Sequence, residues 1–246
     1  MKALLDVNRD FYDPLWAGSR LVPPERFNTW PLVQSLAGDA ARRAEIGPGL
    51  CPRFPLQGTR FLDMSPPAVA KLVGGGADAQ VGLVTHLPWA DGAFDLVGAF
   101  DILEHVDDDD VALAELSRVS GPGAVLLLSA PLHAARWTPF DTLVGHGRRY
   151  DPAVLLAKLG DHGWSVERSA VYGMQPSSTP LLDFVVWSFA HRRSAAIWWY
   201  ANAILPIGVR FQERLEVAPG LIDLHGVDEV LLVCRRTSPT APAVLP

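Results

Sequence analysis

The chain has 246 residues, of which 49% are hydrophobic and 20% are charged, and its net charge is −6 at pH 7. These values are typical of a globular protein with a large core, and the length predicts one large domain or one domain with an appendage. Because the balance is acidic and no Lys/Arg run occurs, a surface that follows nucleic-acid phosphates is excluded. We therefore expect no nucleic-acid partner.

The cysteines and the apolar runs indicate in which cellular compartment the protein is expected. Cys51 and Cys234 are far apart and lack metal-ligand spacing, so we expect reduced thiols, with a disulfide as the alternative. The first residues have no apolar run typical of a signal peptide. The apolar runs between residues 181 and 208 are shorter than the roughly 18–20 residues of a membrane span. These features predict a soluble, cytoplasmic protein, and contact with a membrane surface stays open.

The predicted elements alternate between strands and helices. Helices are expected at about 31–37, 66–73, 107–119 and 152–162, and strands at about 41–46, 59–63, 80–84, 94–100, 124–129, 164–171 and 229–234. Such an alternation predicts an α/β doubly wound sheet. The run at 94–100 is almost continuously apolar, which indicates a parallel strand covered on both faces.

Four segments are predicted from these patterns. Residues 1–40 form an N-terminal arm with a short helix, and residues 41–172 with 227–236 form the core. Residues 173–226 form an apolar helical insert, and the tail at 237–246, rich in Pro, Ala and Thr, is expected to be disordered.

The insert allows three interpretations. It could be a helical cap that completes the core, an apolar lid over a hydrophobic acceptor, or a surface that rests on a membrane. Trp187, Trp198 and Trp199 would supply its apolar face, and Arg192 and Arg193 would reach lipid headgroups. The sequence leaves all three open.

A glycine turn ends the first predicted strand. Glu45 precedes Gly47-Pro48-Gly49, and Asp63 ends the next strand. Glycine allows a backbone to approach a ligand at the carboxyl end of a strand, where open α/β sheets bind ligands. Asp63 could accept hydrogen bonds from both hydroxyls of a ribose.

Two common nucleotide motifs do not fit this turn. The dinucleotide pattern G-x-G-x-x-G fails because position 52 is proline, and no Gly-Lys-Ser/Thr of a P-loop follows. Glu45 would repel a phosphate, whereas it would attract an ammonium or sulfonium group. Taken alone, the motif is also compatible with a purely structural turn.

Three further motifs follow in order: LPWADGAFDLV at 87–97, FDILEHV at 100–106, and ELSRV at 115–119 ahead of Gly-Pro-Gly. With these motifs, roughly residues 40–172 resemble the class I S-adenosylmethionine-dependent methyltransferases, in particular the type 11 small-molecule group. The resemblance implies a Rossmann-like seven-stranded, mostly parallel sheet with helices on both faces. It also implies an antiparallel last strand, preceded by the helical cap insert.

The resemblance further implies the cofactor S-adenosyl-L-methionine and methyl transfer to a small-molecule or lipid-like acceptor, by O-, N- or C-methylation. In the family, the glycine turn lies under the methionine part, and the acid after the second strand binds the ribose. The adenine contact passes to backbone amides or to Thr85, because the usual Asp before the Leu-Pro pair is missing. The cofactor residues implied are Glu45, Gly47, Pro48, Gly49, Asp63, Met64, Thr85, Phe100 and Asp101.

Methyl transfer requires a placed acceptor and often the removal of a proton, for which histidine is the usual base near neutral pH. Type 11 relatives carry a Gly-His-x-Arg-Arg-Tyr loop beside the acceptor pocket. The resemblance therefore makes His146, His105 and His133 the catalytic candidates. It makes Trp137, Arg149 and Tyr150 the acceptor-binding candidates. The alternative is a structural loop in which Asp141 pairs with an arginine and Tyr150 is packed, and His105 could likewise make only a structural hydrogen bond.

Three further possibilities remain at this stage. A related O-methyltransferase group places a divalent metal on a triad like Asp101, Glu104 and His105, although we predict no metal here. The chain could bind S-adenosylmethionine without catalysis, or it could be a nicotinamide-dependent oxidoreductase. A monomer or a homodimer is expected.

Overall fold

The structure, a computed structural model, describes residues 3–173 and 179–237. Apart from residue 237, the predicted tail lies outside this part of the chain, as do residues 174–178 of the insert. The α-helices are α1 (Leu4–Gly18), α2 (Trp30–Asp39), α3 (Pro66–Gly74), α4 (Asp109–Val119), α5 (Pro139–Val144), α6 (Pro152–Asp161), α7 (Thr179–His191), α8 (Arg193–Trp199) and α9 (Leu205–Gly208). Short 3₁₀ helices cover Pro24–Arg26, Leu103–His105 and Ala134–Arg136, and a π-helical turn covers Tyr200–Ile204.

The strands form one eight-stranded sheet in the order β3-β2-β1-β4-β5-β8-β6-β7. Their bounds are β1 (Arg43–Ile46), β2 (Thr59–Asp63), β3 (Asp78–Val81), β4 (Phe94–Phe100), β5 (Ser120–Pro131), β6 (Trp164–Tyr172), β7 (Ala218–Pro219) and β8 (Glu229–Arg236). β1 to β5 pair in parallel, whereas β8 runs antiparallel to both β5 and β6. The mostly parallel sheet and the antiparallel last strand are therefore confirmed.

β4 lies at the centre and explains why helices cover both faces. Successive side chains of a strand point to opposite faces. Val97 and Ala99 pack in the core that includes α4 and α6, whereas Leu96 and Phe100 pack in the core that includes α2 and α3. This double burial requires the continuous apolar run that the sequence shows.

The expectation of seven strands is wrong by one. The additional strand, β7, is a two-residue edge strand that pairs antiparallel with β6, and Gly220 N donates to Glu167 O at 2.7 Å. So short a pairing has no hydrophobic alternation that a sequence could reveal. Because β7 lies within 173–226, that insert also contributes to the sheet.

The segment after β1 differs from a regular crossover. Residues 47–58 contain turns and no helix, in agreement with the shortening expected from Pro52 and Pro55, which restrict helix formation. The N-terminal arm contains a longer helix than expected, the 15-residue α1. Within the described ranges, no helix is long and apolar enough to cross a membrane.

Candidate active site

A continuous cavity of about 1110 Å³ opens at the carboxyl ends of the parallel strands. Its lining includes Asp63 at the end of β2, Gly47 after β1, Phe100 at the end of β4 and Pro131 at the end of β5. The sheet order reverses between β1 and β4, and open α/β sheets bind ligands in the crevice at such a point. Pockets for one small ligand measure about 300–1,000 Å³. This cavity lies just above the upper end of that range.

Most of the residues predicted to bind the cofactor lie at this cavity. The exceptions are Glu45, Pro48 and Gly49, which belong to the glycine turn but do not line the space. Those that line it are Gly47, Asp63, Met64, Thr85, Phe100 and Asp101.

Asp63 is held in place by the turn. Gly49 N donates to its Oδ2 at 2.8 Å, and Ser65 N donates to its Oδ1 at 2.8 Å. Each carboxylate oxygen can accept a further hydrogen bond. Burial raises the pKa of Asp63 to about 6, because the charged form loses hydration. A pair of neighbouring hydroxyls donating to this carboxylate would replace part of that hydration.

The carboxylate of Glu45 is engaged by the loop after β1. Its buried carboxylate accepts hydrogen bonds from Arg53 N at 2.9 and 3.1 Å and from Phe54 N at 2.9 Å. These bonds satisfy backbone donors that no helix satisfies in this loop. Burial raises the pKa of Glu45 to about 7. Glu45 thus stabilises the turn from behind, and the geometry gives no support to a direct contact with a cationic ligand.

Gly49 lies under the indole of Trp16, with a φ of 55°. A Cβ here would be 2.3 Å from Trp16 Cζ2. Because strain and overpacking would add, we expect Gly49→Ala to lower the free energy of unfolding by about 2–4 kcal/mol, measured in urea. The matched control is Gly74→Ala, since a Cβ at Gly74 meets nothing within 4 Å. An equal loss of unfolding free energy in both variants would contradict this packing of Trp16 on Gly49.

Asp101 follows β4 with a positive φ of 54°. Its N–H donates to Ser129 Oγ at 3.0 Å, and the Ser129 hydroxyl donates to its Oδ1 at 2.5 Å. A positive φ is uncommon outside glycine and marks a constrained position. Two hydrogen bonds to β5 therefore fix the Asp101 carboxylate in the cavity wall.

Two further buried carboxylates line the same cavity. Glu104 is 0% exposed and Glu229, the first residue of β8, is 6% exposed. Neither oxygen of Glu104 accepts a hydrogen bond from another described residue, and Oε1 of Glu229 also has no partner among them. The side chain of Glu229 lies close to that of Asp101. Burial, followed by the charge of Asp101, raises the pKa of both glutamates well above the usual value.

His146 forms a dyad with a buried acid. Its Nδ1 lies 2.8 Å from Asp141 Oδ1, and its side chain is 7% exposed and lines the cavity. Burial alone would raise the pKa of Asp141, but hydrogen bonds from His146, Arg149 and Thr138 hold it well below its usual range. An ionised Asp141 keeps the proton of His146 on Nδ1, so that Nε2 is the acceptor atom. This is the arrangement of an oriented general base.

His105 is a poor base in the same cavity. Nδ1 lies 3.0 Å from Asn8 Oδ1 and 3.1 Å from the carbonyl of Gly145, which identifies Nδ1 as the protonated nitrogen. The Tyr12 hydroxyl lies 3.3 Å from Nε2 and donates to it. Burial, followed by the neighbouring His146, lowers the pKa of His105 to about 3. His105 therefore connects α1 to the cavity wall through structural hydrogen bonds.

The other loop candidates lie away from the cavity. His133 Nε2 contacts the Leu224 carbonyl at 3.0 Å, and the half-exposed Trp137 donates to Thr142 Oγ1 at 3.0 Å. None of the residues His133, Trp137, Arg149 and Tyr150 lines the cavity.

Arg149 and Tyr150 are occupied by structural contacts. Arg149 donates to Asp141 at 2.9 Å and to Asp228 at 2.8 Å, and the Tyr150 hydroxyl donates to Asp109 at 2.8 Å. These contacts match the alternative of a structural loop, in which Asp141 pairs with an arginine and Tyr150 is packed. A contact between the acceptor and either side chain stays a prediction without geometric support.

A possible metal group differs from the triad considered above. One ligand atom each of Glu104, His105 and His146 lies within 4.8 Å of the others, and Asp101 is not part of the group. Both ring nitrogens of His105 are already hydrogen-bonded. Within this group, Glu104 and His146 keep an atom available, so two protein ligands of the group could reach a cation.

Sequence reasoning missed several lining residues. Glu229 was noted only as the start of the last strand, yet an antiparallel β8 must begin at the edge where the parallel strands end. That orientation could have placed Glu229 in the site. Tyr12, Trp16 and Trp199 also line the cavity, but they arrive from α1 and α8 and no local signal indicates them.

Comparisons with known proteins agree with this geometry. The family described as "Methyltransferase domain" matches residues 57–128, which extend from just before β2 into β5. Norajmaline N-methyltransferase of Rauvolfia serpentina is 40% identical over 54 residues, which cover 22% of this chain and 18% of that protein. A protein of Mycolicibacterium smegmatis named a probable S-adenosylmethionine-dependent methyltransferase is 33% identical over 94 residues, covering 37% of this chain and 36% of that protein.

The chain thus spans 18% and 36% of the lengths of these two relatives. The likeness of fold extends further. The crystal structure of a SAM-dependent methyltransferase from Thermotoga maritima superposes with a TM-score of 0.62 at 15% identity, covering 96% of this chain and 100% of that one. The matched region covers β2, β3, β4 and most of β5, and the likeness of fold extends over 96% of this chain. Residues 57–128 thus match a methyltransferase domain, and the chain shares the fold of a SAM-dependent methyltransferase.

Proposed function

We propose that this protein transfers a methyl group from S-adenosyl-L-methionine to a small-molecule or lipid-like acceptor and releases S-adenosylhomocysteine. One observation carries the proposal. The same cavity is lined by Gly47 of the glycine turn, by Asp63 and by His146 of the His146–Asp141 dyad. Candidate cofactor-binding residues and a positioned base therefore line one cavity of about 1110 Å³.

The residues present fit this cofactor. Asp63 offers two carboxylate oxygens that the turn has already oriented, which suits the two hydroxyls of a ribose. Gly47 has a φ of 66° and no Cβ, so its backbone can approach the methionine part closely. The bound cofactor supplies an electrophilic methyl group on a cationic sulfur. The acidic lining of the cavity is compatible with that positive charge.

The protein's own residues would prepare the acceptor. His146 Nε2 would take the proton of the acceptor, and Asp141 would stabilise the imidazolium that forms. The wall formed by α1, α7 and α8 would exclude water from the reacting atoms.

Calorimetry with two ligands tests the proposal. We expect S-adenosylhomocysteine to bind in the micromolar range or tighter and NADH to bind at least about a hundredfold more weakly. Tight binding of NADH without binding of S-adenosylhomocysteine would support the oxidoreductase alternative and contradict the proposal. Binding of S-adenosylhomocysteine without methyl transfer to any acceptor would support the non-catalytic alternative.

The insert suggests how a lipid-like acceptor could enter. The insert carries exposed aromatic side chains, three of which (Phe184, Trp187 and Trp199) line the cavity, and it carries exposed arginines although the chain as a whole has a net charge of −6. We call this surface the aromatic rim; its residues are Phe184, Trp187, Trp198, Trp199, Phe211, Arg192, Arg193 and Arg210. Aromatic residues with arginines suit an anionic lipid surface.

A flotation assay tests contact between the aromatic rim and lipid. The protein should float with vesicles that contain phosphatidylglycerol and less with pure phosphatidylcholine. Trp198→Ser together with Phe211→Ser should weaken binding about tenfold or more, because both side chains are exposed and neither lines the cavity. Absence of flotation with anionic vesicles would exclude this contact. Location in the cytoplasm and the monomer or homodimer state stay predictions.

A further inference from the structure

We infer that the methyl acceptor is an amine with an apolar body, and that Glu104 and Glu229 recognise its nitrogen. This inference rests on the proposed function and specifies its substrate class. The observation behind it is that both carboxylates are at least nine-tenths buried, line the cavity and keep oxygens without a hydrogen-bond partner among the described residues.

The two ends of the cavity are far apart. Asp63 ends β2 and Glu229 begins β8, and the sheet order β2-β1-β4-β5-β8 places four strand intervals between them. At about 4.8 Å per interval, the separation is roughly 19 Å across the sheet edge. A nucleoside held at Asp63 thus leaves Glu229 free for a second molecule. Asp101, at the end of β4, lies between the two.

Charge separates the classes of acceptor. Six acidic residues and two arginines line the cavity. Of the arginines, Arg53 donates to Tyr172 and Cys51 and lies 3.7 Å over the Phe27 ring, while Arg192 is exposed at the mouth. A carboxylate, phosphate or phenolate acceptor that reached Glu104 and Glu229 would place its negative charge beside buried acids, and of the two lining arginines one is engaged and the other is exposed. An ammonium group supplies hydrogen-bond donors and a positive charge, which would favour the ionised form of Glu104 and Glu229 over the protonated form that burial favours.

The rest of the wall is apolar. Phe11 and Leu15 of α1, Val144 of α5 and Phe189 of α7 form one cluster that lines the cavity. These side chains offer no hydrogen bonds to a polar ligand, but they can bury a hydrocarbon chain or ring. The acceptor is therefore amphipathic, with its nitrogen at the acidic end.

The chemistry balances with these residues. The amine enters as an ammonium ion, and its proton passes to His146 Nε2 or to a carboxylate, which frees the nitrogen lone pair. That lone pair forms the new N–C bond while the methyl carbon–sulfur bond breaks and its electron pair stays on sulfur. One positive charge thus moves from sulfur to nitrogen. Glu104 and Glu229 stabilise the charge at its new position, whereas an oxygen acceptor would develop no such charge.

Calorimetry with three probes of equal length tests the inference. We titrate octylamine, octanol and octanoate into the full-length protein saturated with S-adenosylhomocysteine, with EDTA present. Octylamine should bind at least about tenfold more tightly than octanol, and octanoate should bind most weakly. Equal binding of octylamine and octanol, or a preference that requires a divalent cation, would overturn the inference.

Variants assign the preference to residues. Glu104→Gln and Glu229→Gln should each weaken the binding of octylamine about tenfold to a hundredfold and leave the binding of octanol unchanged. Asp107→Asn is the matched control, because Asp107 lines the cavity but is exposed, and its preference for octylamine should persist. A merely structural role would change both probes equally and would contradict the inference.

Two outcomes separate this inference from the proposed function. If S-adenosylhomocysteine itself fails to bind, the proposed function fails and the inference falls with it. If S-adenosylhomocysteine binds but octylamine shows no preference, only the inference fails. Thermal unfolding of each variant excludes a general loss of structure as the cause.

Discussion

Replacing His146 by Ala should lower turnover by about a hundredfold to a thousandfold and leave the affinity for S-adenosylhomocysteine within about threefold. The reason is the dyad. Asp141, held ionised by three hydrogen-bonding neighbours, orients His146 so that Nε2 can take a proton inside the cavity. The measurement is release of S-adenosylhomocysteine with octylamine as acceptor, compared with calorimetry of cofactor binding.

His133→Asn is the matched control for this variant. His133 also belongs to the loop after β5 but does not line the cavity, and asparagine tolerates its φ of 61°. Its turnover should stay within about threefold of the wild-type value. If both variants lose turnover alike, the loop matters only for structure. If neither does, His146 is not the base.

Replacing Asp63 by Ala should weaken the binding of S-adenosylhomocysteine about a hundredfold or more. Two hydrogen bonds to a charged acceptor contribute about 1.5–3 kcal/mol each, and the substitution also removes the acceptor of Gly49 N and Ser65 N. Calorimetry measures the change in the dissociation constant. Asp63→Asn should lose less affinity for S-adenosylhomocysteine, since one oxygen acceptor remains.

Asp78→Asn is the control for the loss of a carboxylate near β2. Asp78 opens the adjacent strand β3, is 79% exposed and makes only a surface ion pair with Arg60. Such pairs contribute little, so its affinity should not change measurably. An unchanged affinity in Asp63→Ala would remove Asp63 from the cofactor site.

The fold was largely predictable because its signals are local. β2 and β4 lie at the expected bounds, 59–63 and 94–100, since apolar runs bounded by turns specify buried strands. α1 was underestimated, because its 15 residues include Pro14 and many polar side chains. β7 depends on a single edge pairing with β6 and leaves no pattern in the sequence.

The site was predictable where it follows strand ends and not where it depends on distant contacts. Gly47, Asp63 and Asp101 end strands, and all three line the cavity. Arg149 and Tyr150 share a motif with His146, but both donate hydrogen bonds to acids that are distant in sequence. Arg149 donates to Asp228, 79 residues away, and Tyr150 donates to Asp109, 41 residues away. Adjacency in sequence therefore did not determine which side chain of the loop reaches the cavity.

The most direct test of the account follows the methyl group itself. The protein is incubated with methyl-labelled S-adenosylmethionine and octylamine, and the amine is isolated and analysed by mass spectrometry. We predict that N-methylated octylamine carries the label and that equal amounts of S-adenosylhomocysteine form. Unlabelled amine, together with an intact cofactor across a panel of amines, alcohols and carboxylates, would contradict methyl transfer as the activity of this protein.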